Sequence, residues 1–187
     1  METILIRPAG IEDAQQIAEV RVRSWQSAYQ GLIPQATLDN MSVEDEAQRQ
    51  RRWFGEGRAY VLVAEMDGKV VGIATVGKIA EEDHGGPAGQ LFGLYVHPDH
   101  WRCGVGRRFW PRIVEYARGM GWSWLFLGVL TQNDRACRFY EAMGGRADRA
   151  SIKTIQIEGS PAETVRYWFP LREDQPMPES LPTGMES

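Results

Sequence analysis

The sequence predicts an α/β (α+β) fold, a mixed and mostly antiparallel central sheet flanked by helices. Three observations carry that expectation. Two β-rich runs in residues 59–78 flank "MDGK", whose Asp-Gly pair suits the positive backbone angles of a tight hairpin. A strand at 90–96, a glycine turn, a helix and a buried strand at 124–130 follow in the order that a parallel crossover requires. Two further strand-like runs, 152–157 and 164–169, close the chain as a second hairpin.

The remaining elements follow from local chemistry. "TILIR" at 3–7 reads as a short strand ended by Pro8. From Glu12 to Tyr29, the residues Ile17, Val20, Val22, Trp25, Ala28 and Tyr29 recur at helical intervals, and Asp13 puts negative charge where the helix dipole favours it. Gly31 and Pro34 stop this helix. A second runs from Ser42 to Phe54, with Ser42 as N-cap, Asp45 in place of the usual Glu three residues on, and a solvated arginine-rich far end. "EEDHGGPAG" at 81–89 is a loop. The helix after the glycine turn extends to Arg118, and Pro111 inside it removes a backbone donor and should bend it. "NDRACRFYEAM" at 133–143 is a short helix capped by Asn133, with Ala136, Phe139, Tyr140 and Met143 on one side and Gly144 and Gly145 at its end. The order is β, α, α, β, β, β, α, β, α, β, β. Residues 1–171 form one domain, and the proline-rich, apolar-poor 172–187 read as a disordered tail.

At 187 residues the chain supports one real core rather than two. A net charge of -4 speaks against a general nucleic-acid binder, which needs a basic surface. The N-terminus lacks the apolar core of a signal peptide, and "WLFLGVL" at 124–130 falls far short of the roughly 20 residues that span a bilayer. The expectation is a cytoplasmic protein with no membrane partner, its Cys103 and Cys137 both reduced.

The chemistry concentrates in "HPDHWRCGVGRRFW", residues 97–110. A strand that runs into a glycine turn and then a helix points free backbone N–H groups at one spot, where the helix dipole adds positive potential. Gly104 and Gly106 remove Cβ atoms where an anion would approach, and Arg102, Arg107, Arg108 and Arg112 surround them. The alternative is a plain turn with solvated arginines. A Walker loop would need Gly-Lys-Ser/Thr and a dinucleotide fingerprint a third glycine at 109, where Phe109 stands. A nucleotide-binding oxidoreductase is thereby disfavoured. No Cys or His cluster has metal-ligand spacing, and no G-x-S-x-G elbow occurs, so neither a metal site nor a serine hydrolase is expected.

"LYVHPDHWRCGVGRRFW" resembles the acetyl-CoA pyrophosphate loop of the Gcn5-related N-acetyltransferase (GNAT) superfamily, Gln/Arg-x-x-Gly-x-Gly/Ala between a strand and a helix. "NDRACRFYEAMGG" is similar to the family's second motif, an Asn, then Ala, then an aromatic-Tyr pair on a helix ending in glycine. The resemblance covers residues 3–170 and implies a GNAT-like N-acyltransferase fold. It further implies that acetyl passes from acetyl-CoA to a primary amine of a small molecule or peptide by direct attack, with no metal. Leu94, Tyr95 and Val96 would hold the pantetheine arm and acetyl carbonyl. Amides of Arg102, Cys103, Gly104, Val105, Gly106 and Arg107 would wrap the pyrophosphate. Asn133 would meet the pantetheine or the acceptor side, Ala136 would meet the cofactor, and Tyr140 would serve as general acid at the thioester sulfur. Trp25 and Tyr29, before "GLIP", would wall the acceptor site. A homodimer through an exposed strand edge also fits the resemblance.

Two departures bear on chemistry. Trp101 occupies the Gln/Arg position of the loop. Gln90 stands where many relatives carry a glutamate base, and an amide cannot usefully accept a proton, so Gln90 is assigned to the substrate side only. The competing reading is a non-catalytic acyl-CoA-binding regulatory module, in which these departures mark lost catalysis.

Overall fold

The computed structural model describes residues 3–56, 59–78, 87–157 and 159–172. Among them seven strands form one sheet: β1 (Leu5–Pro8), β2 (Tyr60–Met66), β3 (Lys69–Lys78), β4 (Ala88–Val96), β5 (Trp124–Leu130), β6 (Arg146–Ile157) and β7 (Ser160–Pro170). The spatial order is β1-β2-β3-β4-β5-β7-β6. Every neighbouring pair is antiparallel except β4 and β5, the parallel crossover that the glycine turn announced. Helices α1 (Ala14–Ala28), α2 (Gln35–Asp39), α3 (Val43–Glu56), α4 (Val105–Gly119) and α5 (Asp134–Ala142) flank it.

Alternation along the strands divides the core between the two faces. Helix α4 buries Val105, Phe109, Ile113 and Ala117, one residue per turn, and these join Leu125, Leu127, Val165 and Phe169 in the largest apolar cluster. Each such large side chain contributes about 1.5–3 kcal/mol when fully buried. Ile17 and Val20 of α1 pack on Val61, Val63, Val70 and Ile73 in a second cluster, while Trp124, Phe126 and Trp168 form a third. Strand β5 contributes to separate clusters through alternate residues, which is why its sequence reads as an unbroken apolar run.

The local signals hold. Asp67 and Gly68 take φ values of 49° and 76° in the β2–β3 turn. Ser42 caps α3, its Oγ accepting from Asp45 N at 3.2 Å, and Asn133 Oδ1 accepts from Ala136 N at 3.1 Å. Helix α4 continues through Pro111, which is exposed, so the missing hydrogen bond falls on the solvent side and does not end the helix.

Three differences are instructive. "GLIP" is more than a stop, because Pro34 opens the short α2, which the fully buried Leu38 pins to the body. Strand β6 starts at Arg146 rather than 152. Its first half is polar because β6 is an edge strand, and a register break between Asp148 and Lys153 is held by Ser151 Oγ, which accepts from Arg166 N at 2.9 Å. Strand β4 starts two residues earlier than the spacing suggested, at Ala88. Of the expected loop at 81–89, residues 81–86 lie outside the described residues, as do 173–187 of the expected tail.

The buried carboxylates on the α1–α3 side of the molecule, Asp13 and Glu46, sit in closed pairs. Arg7 places NH1 and NH2 at 2.7 and 2.8 Å from the two oxygens of Asp13, and its Nε at 2.8 Å from Glu65. These bonds hold the buried Asp13 carboxyl below its usual range, against the opposing effect of burial. Glu46, 1% exposed, takes Arg21 at 3.2 Å and Gln50 Nε2 at 2.7 Å, while Arg49 lies at 2.8 Å as an ion pair rather than an aligned hydrogen bond.

Candidate active site

Strands β4 and β5 pair at only three positions, Ala88 with Trp124, Gly89 with Leu125 and Gln90 with Phe126. Beyond Gln90 they part. The cause lies on the other edge of β4, where Thr75 faces Gly93 and Val76 faces Leu91, so that Phe92 is an extra, bulged residue. A bulge bends the strand and sharpens its twist, steering Leu91–Val96 away from β5. The gap is a cleft of about 840 Å³, lined by residues 91–96 of β4 and 127–130 of β5. Along it the β5-facing edge of β4 has no ladder partner, so its backbone groups are available to a ligand.

The glycine turn forms one end of this cleft. Gly104 caps α4 with φ 83°, a left-handed conformation that strains any residue carrying a Cβ, and no side chain caps the helix. The first-turn amides of α4 therefore remain open toward Gly104, Val105, Gly106 and Arg107, all of which line the cleft. Arg102 also adopts a left-handed φ of 64°, uncommon for such a residue and a sign that the loop shape is imposed.

Three tyrosines converge on the middle of the cleft. Tyr140 of α5 is 8% exposed, with Phe139, Phe169 and Tyr167 ring centroids at 5.2, 6.2 and 6.3 Å. Burial, with Tyr95 adding to it, pushes its phenol well above the ordinary tyrosine range, and burial does the same at Tyr29. Both phenols stay protonated at neutral pH, so they act as donors. The ring of Tyr95 folds back over Gly93, where an added Cβ would fall 2.5 Å from it. No aspartate or glutamate lines the cleft among the described residues.

Of the residues singled out from sequence, Tyr29, Leu94, Tyr95, Val96, Arg102, Gly104, Val105, Gly106, Arg107, Asn133, Ala136 and Tyr140 all line this one cleft. Asn133 does so with its Oδ1 already spent on capping α5, which leaves its Nδ2 to donate. Three others do not line it. Cys103 is exposed and turns its Sγ toward the Trp101 carbonyl at 3.6 Å. Trp25 packs edge-on against Tyr29 at 4.9 Å. Gln90 is the last paired residue before the strands part, its Oε1 buried without a hydrogen-bond partner. Sequence reasoning missed Phe92, Gly93, Gly128, His100 and Arg135, which also line the cleft. No local pattern marks them, since the bulge at Phe92 becomes visible only against β3.

Comparison with known proteins joins these features to a family. The sequence pattern of the Acetyltransferase (GNAT) family matches residues 21–145, and the chain belongs to that family. The uncharacterised N-acetyltransferase YuaI of Bacillus subtilis (strain 168) is 29% identical over 168 residues, spanning 89% of this chain and 93% of its own. The L-amino acid N-acyltransferase MnaT of Escherichia coli (strain K12) is 32% identical over 103 residues, 53% of this chain and 59% of its own. A Salmonella typhimurium structure solved with its cofactor acetyl-CoA superposes with a TM-score of 0.66 at 21% identity, covering 95% of this chain and 99% of that one. The chain is thus an acyltransferase with the mixed seven-stranded GNAT fold. No helix among its described residues is long and apolar enough to cross a membrane.

Proposed function

We propose that residues 1–171 form a single N-acetyltransferase domain that moves acetyl from acetyl-CoA to the primary amine of a small molecule or peptide by direct attack. The observation that carries this reading is the single cleft between the parted strands, with open α4 amides at one end and protonated Tyr140 inside. Its volume, its glycine turn and its flanking arginines fit a long, phosphate-bearing thioester. That donor supplies an acyl carbon already activated toward an amine.

The chain's own residues then have distinct tasks. The cleft-facing backbone of Leu94 and Val96 holds the pantetheine arm and offers N–H groups to the carbonyl oxygen as negative charge builds on it, while Tyr95, whose backbone is paired with Ile73, contributes its side chain. Amides from Arg102 to Arg107 receive the pyrophosphate. Asn133 Nδ2 and the α5 backbone at Ala136 meet the arm from the other wall. Tyr140 hydrogen-bonds the departing thiolate or protonates it; burial keeps the phenol neutral and so a donor, although the same upward shift makes it the weaker acid and favours the hydrogen bond. Ser24, Ala28 and Tyr29 of α1 and its end form the acceptor wall, with Trp25 supporting Tyr29 from behind.

The lack of a lining carboxylate selects among amines. With Gln90 in place of a base, the ammonium proton leaves to water or a backbone carbonyl, so the amine pays for its own deprotonation. For a lysine-like amine that step is unfavourable by about 4–5 kcal/mol at pH 7, but for the α-amine of a peptide, with a pKa near 8, by only about 1 kcal/mol. On this ground the α-amine of a peptide is the favoured acceptor, whereas the free L-amino acid named for the MnaT relative carries a more basic α-amine and gains less. Thiol release from acetyl-CoA over a panel of α-amines, ε-amines and polyamines tests the reading. Faster release with α-amines is expected, and release that no amine stimulates would sink it in favour of a binding module.

A further inference from the structure

Trp101 stands where the loop of related proteins carries Gln or Arg, yet positive charge reaches the same place from elsewhere. Arg135, near the start of α5, lays its guanidinium carbon 3.4 Å from the centroid of the Trp101 ring. The indole is fixed, because its Nε1–H donates to the Val96 carbonyl at 2.7 Å, at the end of β4. The stack thus links the two walls of the cleft, α5 on one side and the β4–α4 loop on the other, and both residues line it. A guanidinium resting on an indole face keeps its planar edge of N–H donors free.

A second observation says what that edge awaits. Arg135 makes no ion pair with a carboxylate among the described residues, and its charged neighbour is Arg102, of the same sign. Burial and Arg102 both work against its charge. The cation nearby on α1, Arg21, is by contrast already neutralised by Glu46 at 3.2 Å. A guanidinium laid on an indole face at the cleft beside a like charge, with no acid lining that cleft among the described residues, is a seat for an anion brought by the ligand.

We propose that Arg135, seated on Trp101, grips a phosphate group of coenzyme A across the cleft from the 102–107 loop. It supplies from α5 the charge that the first position of the loop lacks. This rests on acetyl-CoA being the acyl donor. Trp101 is a positioning residue, acting through Arg135. Because a guanidinium fork matches two phosphate oxygens and stacks on the ring, lysine is a poor replacement.

Calorimetric titration of the full chain with coenzyme A and with 3′-dephospho-coenzyme A tests this. Arg135→Gln is expected to weaken coenzyme A binding about 10-fold or more, the loss typical of a charge-assisted hydrogen bond. Arg135→Lys should recover only a minor part. Trp101→Ala should weaken binding in the same direction, and adding it to Arg135→Gln should bring no further loss, while thermal melting of each variant shows the fold intact. If the Arg135→Gln loss persists with the dephospho ligand, the gripped group is the pyrophosphate. If the loss disappears, the group is the 3′-phosphate. Either result supports the clamp. Coenzyme A affinity unchanged in Arg135→Gln overturns it, as does a variant in which only the KM of the acceptor moves. Failure of the unaltered chain to bind coenzyme A overturns the donor reading itself, and the clamp with it.

Discussion

The α1–α3 side and the cleft treat charge in opposite ways. Around α1 and α3, Arg7 meets Asp13 and Glu65, and Arg21 and Arg49 meet Glu46. At the cleft, Arg102, Arg107 and Arg135 line a space that contains no carboxylate among the described residues. A folded chain has little reason to gather like charges for stability, since they repel one another. Closed pairs therefore mark structure, and open cations mark a place completed by ligand. The same contrast holds for polar groups: Asp13 is saturated with donors, whereas the β4 edge beyond Gln90 lacks a ladder partner.

This contrast predicts a crossover between activity and stability. The largest effect is expected from Tyr140→Phe, which should lower kcat about 100-fold or more while leaving coenzyme A affinity and melting temperature close to those of the parent. Steady-state kinetics with calorimetry decides it, and loss of binding in parallel with kcat would mean that the phenol is structural. Arg7→Met should do the reverse. Leaving Asp13 buried and unpaired is expected to remove about 3 kcal/mol of stability by denaturant melting, with kcat/KM unchanged.

The pH dependence of stability sharpens the same pair. Asp13 has a folded pKa below its unfolded value of about 3.9. Its contribution is therefore fully present above that value and is lost as pH falls below it toward the folded pKa. Asp13→Asn should flatten the stability curve in that acid window, whereas Tyr140→Phe should leave it unaltered. Gly104→Ala comes next, with about 1–2 kcal/mol expected from the left-handed backbone alone and a visible loss of coenzyme A affinity as the turn shifts. The smallest effect is that of salt. Raising ionic strength from 50 to 200 mM should weaken coenzyme A binding several-fold by screening the open cations, and should barely move the melting temperature set by the paired ones.

Much of the molecule was legible because its signals are local. The Asp67-Gly68 turn, the Ser42 and Asn133 caps, and the burial stripe of α4 each depend on residues within a turn or two of one another. The polar first half of β6 escaped because an edge strand needs no apolar alternation, and α2 escaped because a five-residue helix is defined by the burial of Leu38 rather than by periodicity. In the site, the glycine turn and the Asn-to-Tyr helix could be read from spacing, but the places of Trp25, Cys103 and Gln90 could not.

The sequence by itself determined the order of every element but α2 and the short 3-10 turns, the crossover and the residues that make the turn a magnet for anions, because backbone propensity, capping and turn chemistry act over a few residues. Only the tertiary structure decided where the cleft opens, since that depends on Phe92 having no counterpart on β3 and on three β4–β5 pairs ending at Gln90. Tertiary packing alone also brought Arg135 onto Trp101, 34 positions apart in the numbering, and Tyr95 of β4 beside Tyr140 of α5. Contacts of that kind are set by how distant elements pack, and no short stretch of chain carries their geometry.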